Sequence, residues 1–550
     1  MVNEALEARI SKIVFWVLLL VAVVVTPWWN LDPINLPKLL VLSAGVLFLV
    51  GNVGFAALRG LGRGQGFLYL SFVVIVFLSS LIGKRYFFGQ FYGDFGRMTG
   101  ALCYAVLLLL FVSLAASGSG VVAKRVVLAL ALAGVVNLVY ALVQHLGWDP
   151  VDWSNPYNPI LGTFGNPNFI SAFLGIVASV GIVYLIDSGT RWVFRLVILG
   201  CVGLAIFLID ASVSVQGFGV ITGGLVLALY MRFVHGKKLV YRASYQVVVV
   251  VGFLFLLLGT LQRGPLKGVA YQASVTYRGD YWRAGIEMLM KHPFLGVGMD
   301  SYGDYYRASR TEAAALRRGP DVVSNSAHNV FLDIASNGGF LLLFAYVGIL
   351  GLVIYSAWSL LKKMNGYDPL VVALVVAWVG YIGQSAISIN QNGLATWGWA
   401  MGGVIVGLKN SGYSGVVSAK KVDYREVPAS RVIGGSVGLV VGLVLALPIF
   451  IKDVQFRSAL QSLDAARIEK VATGFPATSY YLDYAAGTLA RNKGLEDVGL
   501  RLAKEAAKLN PRDFSAWQLI YSNPKVSLVD RADAVLKMKA LDPFNMTIKP

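Results

Sequence analysis

Charge is scarce in this 550-residue chain, where Asp, Glu, Lys and Arg together make up 14% of the residues. A soluble domain carries about 25%. With 57% hydrophobic residues, and apolar runs that approach about 20 residues without alternating with polar ones, this scarcity excludes both a soluble domain and a β-barrel. Cysteine is almost absent. Cys103 and Cys201 lie inside apolar runs, read as small core residues and imply no disulfide framework. Histidine occurs four times. Asp280, Asp300 and Asp304 are not spaced as helical metal ligands or as a DxD element, so neither a metal nor a cofactor is expected. A cleavage site is lacking too, because the first apolar run (Ile13–Trp29) has too few small residues around it, and it reads as a retained helix.

What is present is an all-α polytopic membrane protein of about 12–13 spans. Spans are predicted at roughly 13–29, 36–58, 66–83, 98–116, 122–146, 168–187, 193–209, 214–234, 241–261, 329–358, 369–389, 393–409 and 432–451. The net charge of +18 does not call for nucleic acid, because Lys and Arg fall mainly in short loops on one side. Arg9/Lys12, Arg59/Arg63, Lys124/Arg125, Arg191/Arg195, Lys237/Lys238/Arg242, Lys362/Lys363 and Lys420/Lys421/Arg425/Arg431 mark that side as cytoplasmic. Loops 30–35, 147–167 and 210–213 have no Lys or Arg, and Lys84, Arg85 and Arg97 are the exceptions. The count puts a long polar loop at about 262–327 outside the cytoplasmic (inner) membrane, together with the C-terminal tail.

Two regions result: a membrane domain at 1–451 and a helical tail at 452–550. In the tail, Ala506-Ala507-Lys508-Leu509-Asn510-Pro511 and Met538-Lys539-Ala540-Leu541-Asp542-Pro543 are similar and lie about 32 residues apart. That is close to the roughly 34 of a tetratricopeptide repeat. An ordinary helical hairpin is the plainer reading. So few repeats rarely stand alone, so the tail is expected to lean on the membrane domain or on a protein partner.

Chemistry is expected where polar groups gather in a lipid-adapted chain. His145 and His235 read as structural, and His292 sits in a Pro- and Gly-marked turn, His292-Pro293-Phe294-Leu295-Gly296-Val297-Gly298. His328 differs, standing between the polar Ser324–Ala327 and an apolar helix. At that boundary it serves either as a proton acceptor or as an interfacial cap. Arg278 and Arg283 flank Asp280; they suit phosphate oxygens, or else they pair with Asp280 and Glu287. Gly162-Thr163-Phe164-Gly165-Asn166-Pro167-Asn168 makes a rigid turn before the sixth span. There Asn168 caps the helix or binds a sugar hydroxyl, and capping is the simpler choice.

These three elements occur in one order, and here the chain resembles the O-antigen ligase and polymerase superfamily. The matching residues are Gly162 to Asn168, Arg278 to Gly298 (R-x4-R, then H-P-F-L-G-V-G) and His328-Asn329, continuing to Asn337-Gly338-Gly339-Phe340. The resemblance covers roughly residues 160–405. It implies a membrane glycosyltransferase that takes a glycan from an undecaprenyl-diphosphate carrier and passes it, without a metal and with inversion, to a glycan, lipid or protein hydroxyl. Mapped onto this chain, it makes His328 the base and Arg278 and Arg283 the diphosphate ligands. Asn168, Gln216 and Asn329 become further substrate-binding residues. One departure stands out. Where the superfamily commonly has a Ser-Arg-Gly-like element, this chain reads Ser212-Val213-Ser214-Val215-Gln216-Gly217, so Gln216, Arg263 or Arg283 would have to substitute for an arginine. Polymerisation or ligation of a cell-surface polysaccharide is the leading expectation. A protein O-oligosaccharyltransferase and a non-enzymatic transporter or assembly scaffold are the alternatives. Transport is disfavoured because the ionisable cluster lies at the boundary rather than the midplane.

Overall fold

The protein is described by a computed structural model over residues 4–58, 61–153, 155, 158–265, 267–270, 273–364, 366–415 and 427–548. Of the basic clusters used for orientation, Arg59, Lys420, Lys421 and Arg425 lie outside the described residues. The first half contains α1 (Glu4–Val23), α2 (Asn35–Leu58), α3 (Arg63–Ile82), the short α4 (Phe87–Tyr92), α5 (Ala101–Ser117), α6 (Gly120–His145), α7 (Pro167–Leu185), α8 (Trp192–Ala211), α9 (Gln216–Leu229) and α10 (Leu239–Thr260). The polar loop folds as α11 (Lys267–Ala270), α12 (Ala273–Lys291), α13 (Tyr302–Ser309) and α14 (Glu312–Arg318). The chain then returns through α15 (Val330–Lys363), α16 (Pro369–Ser385), α17 (Asn392–Asn410) and α18 (Ala429–Ser462). The tail comprises α19 (Ala465–Thr473), α20 (Ser479–Ala490), α21 (Glu496–Leu509), α22 (Phe514–Ser522) and α23 (Leu528–Leu541).

Among the described residues there is no strand, and nine helices are long and apolar enough to cross a membrane. α5 and α16 are shorter apolar helices. The all-α polytopic expectation therefore holds, and each of the thirteen predicted runs falls on a helix, but α1 and α17 are not among these eleven apolar helices. The first run is displaced: α1 begins at Glu4 and ends at Val23. The displacement has a local cause. The residues after α1 turn sharply, with Thr26 Oγ1 donating to Asn30 Oδ1 (2.8 Å) and the Asp453 carboxylate receiving the Leu31 and Asp32 amides (2.7 and 3.2 Å).

α17 is buried from Asn392 to Leu408, and its Trp397 is fully buried and packs on Phe173, itself 4.6 Å from Phe164. α18 lies backbone to backbone on α2, so a Cβ on Gly438 would stand 2.0 Å from the Leu47 carbonyl oxygen. Small residues permit that approach in lipid, where packing rather than water exclusion joins helices. α18 then runs on beyond the bundle into the tail. There Lys452 Nζ donates to the Ala472, Gly474 and Pro476 carbonyls at 2.9, 2.7 and 2.9 Å. Successive tail helices pack on one another, and the two similar segments end α21 and α23 in equivalent places.

The polar loop is fastened to a break in α15. Gly339 has φ +70°, and around it Val297 N bonds Ser336 O (2.9 Å), Gly298 N bonds Asn337 O (3.0 Å) and Phe340 N bonds Pro293 O (2.7 Å). A Cβ on Gly339 would lie 2.2 Å from the Phe294 carbonyl oxygen, and one on Gly296 (φ +66°) 2.4 Å from the Asn337 carbonyl carbon. Only glycine fits these positions. The motif from His292 to Gly298 and the run Asn337-Gly338-Gly339-Phe340 are thus the two halves of one joint. That joint sets where α12 and α13 stand over the start of α15.

Candidate functional site

His328 immediately precedes Asn329, the N-cap of α15. Its φ of +52° is a left-handed conformation that costs a non-glycine residue of order 1 kcal/mol. Neighbouring bonds hold it there. Buried Asp333, one turn into α15, receives Ser326 Oγ (2.6 Å) and the Ala327 amide (2.8 Å), while the His328 amide donates to Ser326 Oγ (3.1 Å). The imidazole stacks on Tyr281 of α12, with ring centroids 5.2 Å apart and planes at 28°. Tyr281 is fixed in turn: its carbonyl receives Tyr302 Oη at 2.6 Å, and its own hydroxyl receives an Arg318 N–H.

The charges of three arginines act on the histidine. Arg278 lies one turn before Tyr281 on the same face of α12, with Ser274 Oγ at 3.4 Å, and among the described residues it has no carboxylate partner. Arg318 covers the Tyr277 ring at 4.3 Å. Arg97 is almost wholly buried, pairs with Asp300 Oδ1 at 3.1 Å, donates to the Asn325 carbonyl, and keeps an unpartnered Nε. Burial lowers the His328 pKa to about 4, and the charges of Arg278, Arg97 and Arg318 push in the same direction. Burial also lowers that of Arg278. At neutral pH the imidazole is unprotonated and can accept a proton.

The other expected site residues are distributed as follows. Arg283 does not join His328: five residues beyond Arg278 it lies roughly 140° round the helix and is exposed. Asp280 pairs with Arg317, and Glu287 with Lys291 at 3.0 Å, so neither carboxylate serves Arg278 or Arg283. Asn329 Oδ1 caps α15 by receiving the Leu332 amide at 3.1 Å. Asn168 is not the cap expected for α7. Asn166 takes that role, receiving the Asn168 amide at 2.9 Å, because Pro167 occupies the first helical position. This leaves the Asn168 side chain to receive Ser214 Oγ at 2.8 Å. Gln216 begins α9, buried, with an unpartnered Oε1. It stands two residues after Ser214 in this second polar cluster, which ties α7 to α9 through Ser171 Oγ and the Gly217 amide (2.9 Å).

The two clusters share one end of the bundle. Asn35, at the start of α2, donates to Gly96 O (2.6 Å) next to Arg97, receives Gln391 Nε2 (3.2 Å), and its carbonyl receives Asn392 Nδ2 (3.5 Å). Cys103, near the start of α5, bonds Asn392 Oδ1 at 3.2 Å, and Phe164 packs against Gly393. The starts of α2, α5, α7, α9, α15 and α17 are thereby brought together. Helix N-termini carry partial positive charge, which adds to that of the guanidiniums and favours an anion.

Arg97, Arg318 and Tyr281 were missed by sequence reasoning. Arg85 and Arg97 read there as exceptions to the charge bias. In the fold Arg85 meets Asp94 (2.9 Å), which is near in sequence, and Asp304 (3.4 Å), while Arg97 meets Asp300, a partner about 200 residues away that the sequence does not announce.

These features define a multi-pass helical membrane protein that gathers cations and a neutral histidine at one end of its bundle. Residues 170–347 match the family model described as O-antigen ligase, and over that segment the chain is similar to the O-antigen ligase and polymerase superfamily. The match includes Arg278 and His328 and connects the chain with glycan transfer in polysaccharide or glycoconjugate assembly. Arg97, Asn168 and the tail lie outside it. No curated protein matches the sequence.

Proposed function

We propose that the protein transfers a glycan from an undecaprenyl-diphosphate carrier to an acceptor hydroxyl at the outer face of the cytoplasmic membrane. Polymerising or ligating a cell-surface polysaccharide is the reaction favoured. The observation that carries this reading is that Arg278, a guanidinium with no carboxylate partner among the described residues, stands one turn from Tyr281, on which the His328 ring stacks. An unpaired cation beside a base suits an anionic leaving group next to a nucleophilic hydroxyl.

In this mechanism Arg278 grips the diphosphate with its forked donors, and the converging helix starts add a favourable field. His328 removes the acceptor hydroxyl proton as the oxygen bonds to the anomeric carbon. The bond from that carbon to the phosphate oxygen breaks on the opposite face, the electron pair leaves with the diphosphate, and configuration inverts. Fixed guanidiniums stabilise the charge that develops on the leaving group. Donor binding also tunes the base, because the bound anion offsets the cations that hold His328 down and so raises its proton affinity when it is needed.

Asn168 and Gln216 are placed, in this reading, to contact sugar hydroxyls, with Gln216 Oε1 an unused acceptor. The arginine absent from 212–217 is replaced by guanidiniums arriving from 97 and 318. The tail is read as a tetratricopeptide-like unit on the same face. Transfer by purified protein from a defined undecaprenyl-diphosphate glycan is the test. Arg278→Lys should lower the rate at least about tenfold, since a point charge does not reproduce the fork. An unchanged rate and donor affinity would remove Arg278 from the site. Mass analysis of the product separates polymer, glycolipid and glycoprotein.

A further inference from the structure

The tail does not hang free, and the way it is attached leads back to His328. Asp542, just past the end of α23, has a fully buried carboxylate that receives Arg310 Nη2 through both oxygens (2.8 Å each) and Arg307 Nη1 (2.8 Å). Arg310 is buried, and its Nη2 also donates to Pro320 O at 3.0 Å; Arg307 Nη1 reaches the same carbonyl at 2.9 Å. The tail's Asp542 thus grips both α13 and the strand of loop that leads to His328. Two more tail residues clasp α13. Arg512 lies 3.7 Å over the Tyr305 ring with its Nε 3.3 Å from the Asp304 carbonyl, and Phe514 lies 4.0 Å under the Arg307 guanidinium. From α13 the path is short: Tyr302 Oη bonds the Tyr281 carbonyl, and Tyr281 carries the imidazole of His328.

We propose that the tail is a working part of the transfer site and that Asp542 is a positioning residue acting on His328 through Arg310 and Arg307. The inference rests on the transfer reading given above. Its physical basis is that a buried guanidinium stripped of its carboxylate is strongly disfavoured, so the loop can keep its shape only while the tail is docked. His328 needs that support because its left-handed backbone is held by neighbours rather than by its own preference. Loss of the clamp should let the 320–328 segment loosen, disturb the stack on Tyr281, and admit water to the imidazole. Around the ring stand Arg278 and Tyr281 on α12, Arg318 on α14, Arg97 before α5 and Asp333 in α15. None of these is changed in the test.

The experiment uses the full-length chain in lipid nanodiscs with a synthetic polyprenyl-diphosphate disaccharide, comparing wild type, Asp542→Asn, Asp542→Glu and Arg512→Gln. Amide hydrogen exchange is read at 277–285 and 320–330, beside kcat, KM and the pH dependence of kcat/KM. Asp542→Asn should speed exchange in both stretches about tenfold and lower kcat at least about tenfold with little change in KM. The acid limb of kcat/KM should move to higher pH as His328 gains water. Asp542→Glu should recover much of the rate, and Arg512→Gln, which keeps the ion pairs, should show a smaller loss in the same direction. Wild-type kcat and an unmoved acid limb in Asp542→Asn overturn the inference, as does unchanged exchange at 320–330. A wild-type protein inert towards the donor overturns the transfer reading instead, while the exchange data still decide whether the tail holds the loop.

Discussion

His328 and Arg278 oppose each other electrostatically, since the arginine's charge adds to burial in disfavouring the protonated imidazole. Burial first, and then the charges of Arg278, Arg97 and Arg318, lower the imidazole pKa to about 4, well below its ordinary value of 6.5. The sign of the effect gives a pH prediction. The acid limb of kcat/KM, which reports the free protein, should lie below pH 5. The limb of kcat should lie higher, because a bound diphosphate cancels part of the cationic field. In Arg278→Gln one cation is gone, so the kcat/KM limb should rise; an unmoved or lowered limb in rate profiles would contradict the account. Arg97 acts at the same scale by a different route. Arg97→Lys keeps the charge but loses the fork that joins Asp300 to the Asn325 carbonyl. It should lower kcat about tenfold while leaving the acid limb in place, whereas Arg97→Gln should shift it upward. Legibility at this scale was uneven. His328 announces itself by its place between polar and apolar sequence. Arg97 does not, because its partners Asp300 and Asn325 lie more than 200 residues away. Asn168 was misread because two asparagines flank Pro167, and the proline decides which of them is the cap.

Helices carry the part of the structure that the sequence states most clearly. Apolar runs reveal the spans because every backbone polar group in lipid must be satisfied within its own segment. Breaks are harder to see, since a glycine pair inside an apolar run looks like packing. Gly339 turns out to be a joint, with the carbonyls and amides of α15 at residues 336–340 bonded to the loop at 293–298. Gly339→Ala places a methyl against the Phe294 carbonyl at a positive φ, and should destabilise the joint by about 1–3 kcal/mol. Local amide exchange should show 293–298 and 336–340 opening together. Opening of one without the other would mean the joint is not a unit. Arg283 illustrates the same limit. Its spacing from Arg278 looks like a pair in one dimension, yet a helix turns it away.

The molecule as a whole is a helical bundle whose polar loop is pinned from below by α15 and from above by the tail. Composition alone separates the bundle from the tail, and the repeated Asn510-Pro511 and Asp542-Pro543 mark where two tail helices stop. What composition does not reveal is that the second of these stops, Asp542, is buried against two arginines of the loop. At this scale the matched family segment, 170–347, is only the middle of the assembly. Arg97 comes from before it and Asp542 from after it, and both reach the same loop. The central claim is that His328 is the base for transfer from a diphosphate-linked glycan, and one measurement tests it most directly. Wild type and His328→Ala, each shown to be folded and inserted, are given a defined undecaprenyl-diphosphate glycan and an acceptor, and the products are followed by mass spectrometry. The account predicts a glycan-extended acceptor from the wild type and a rate at least about a hundredfold lower from the variant. A His328→Ala protein that transfers at the wild-type rate would contradict it.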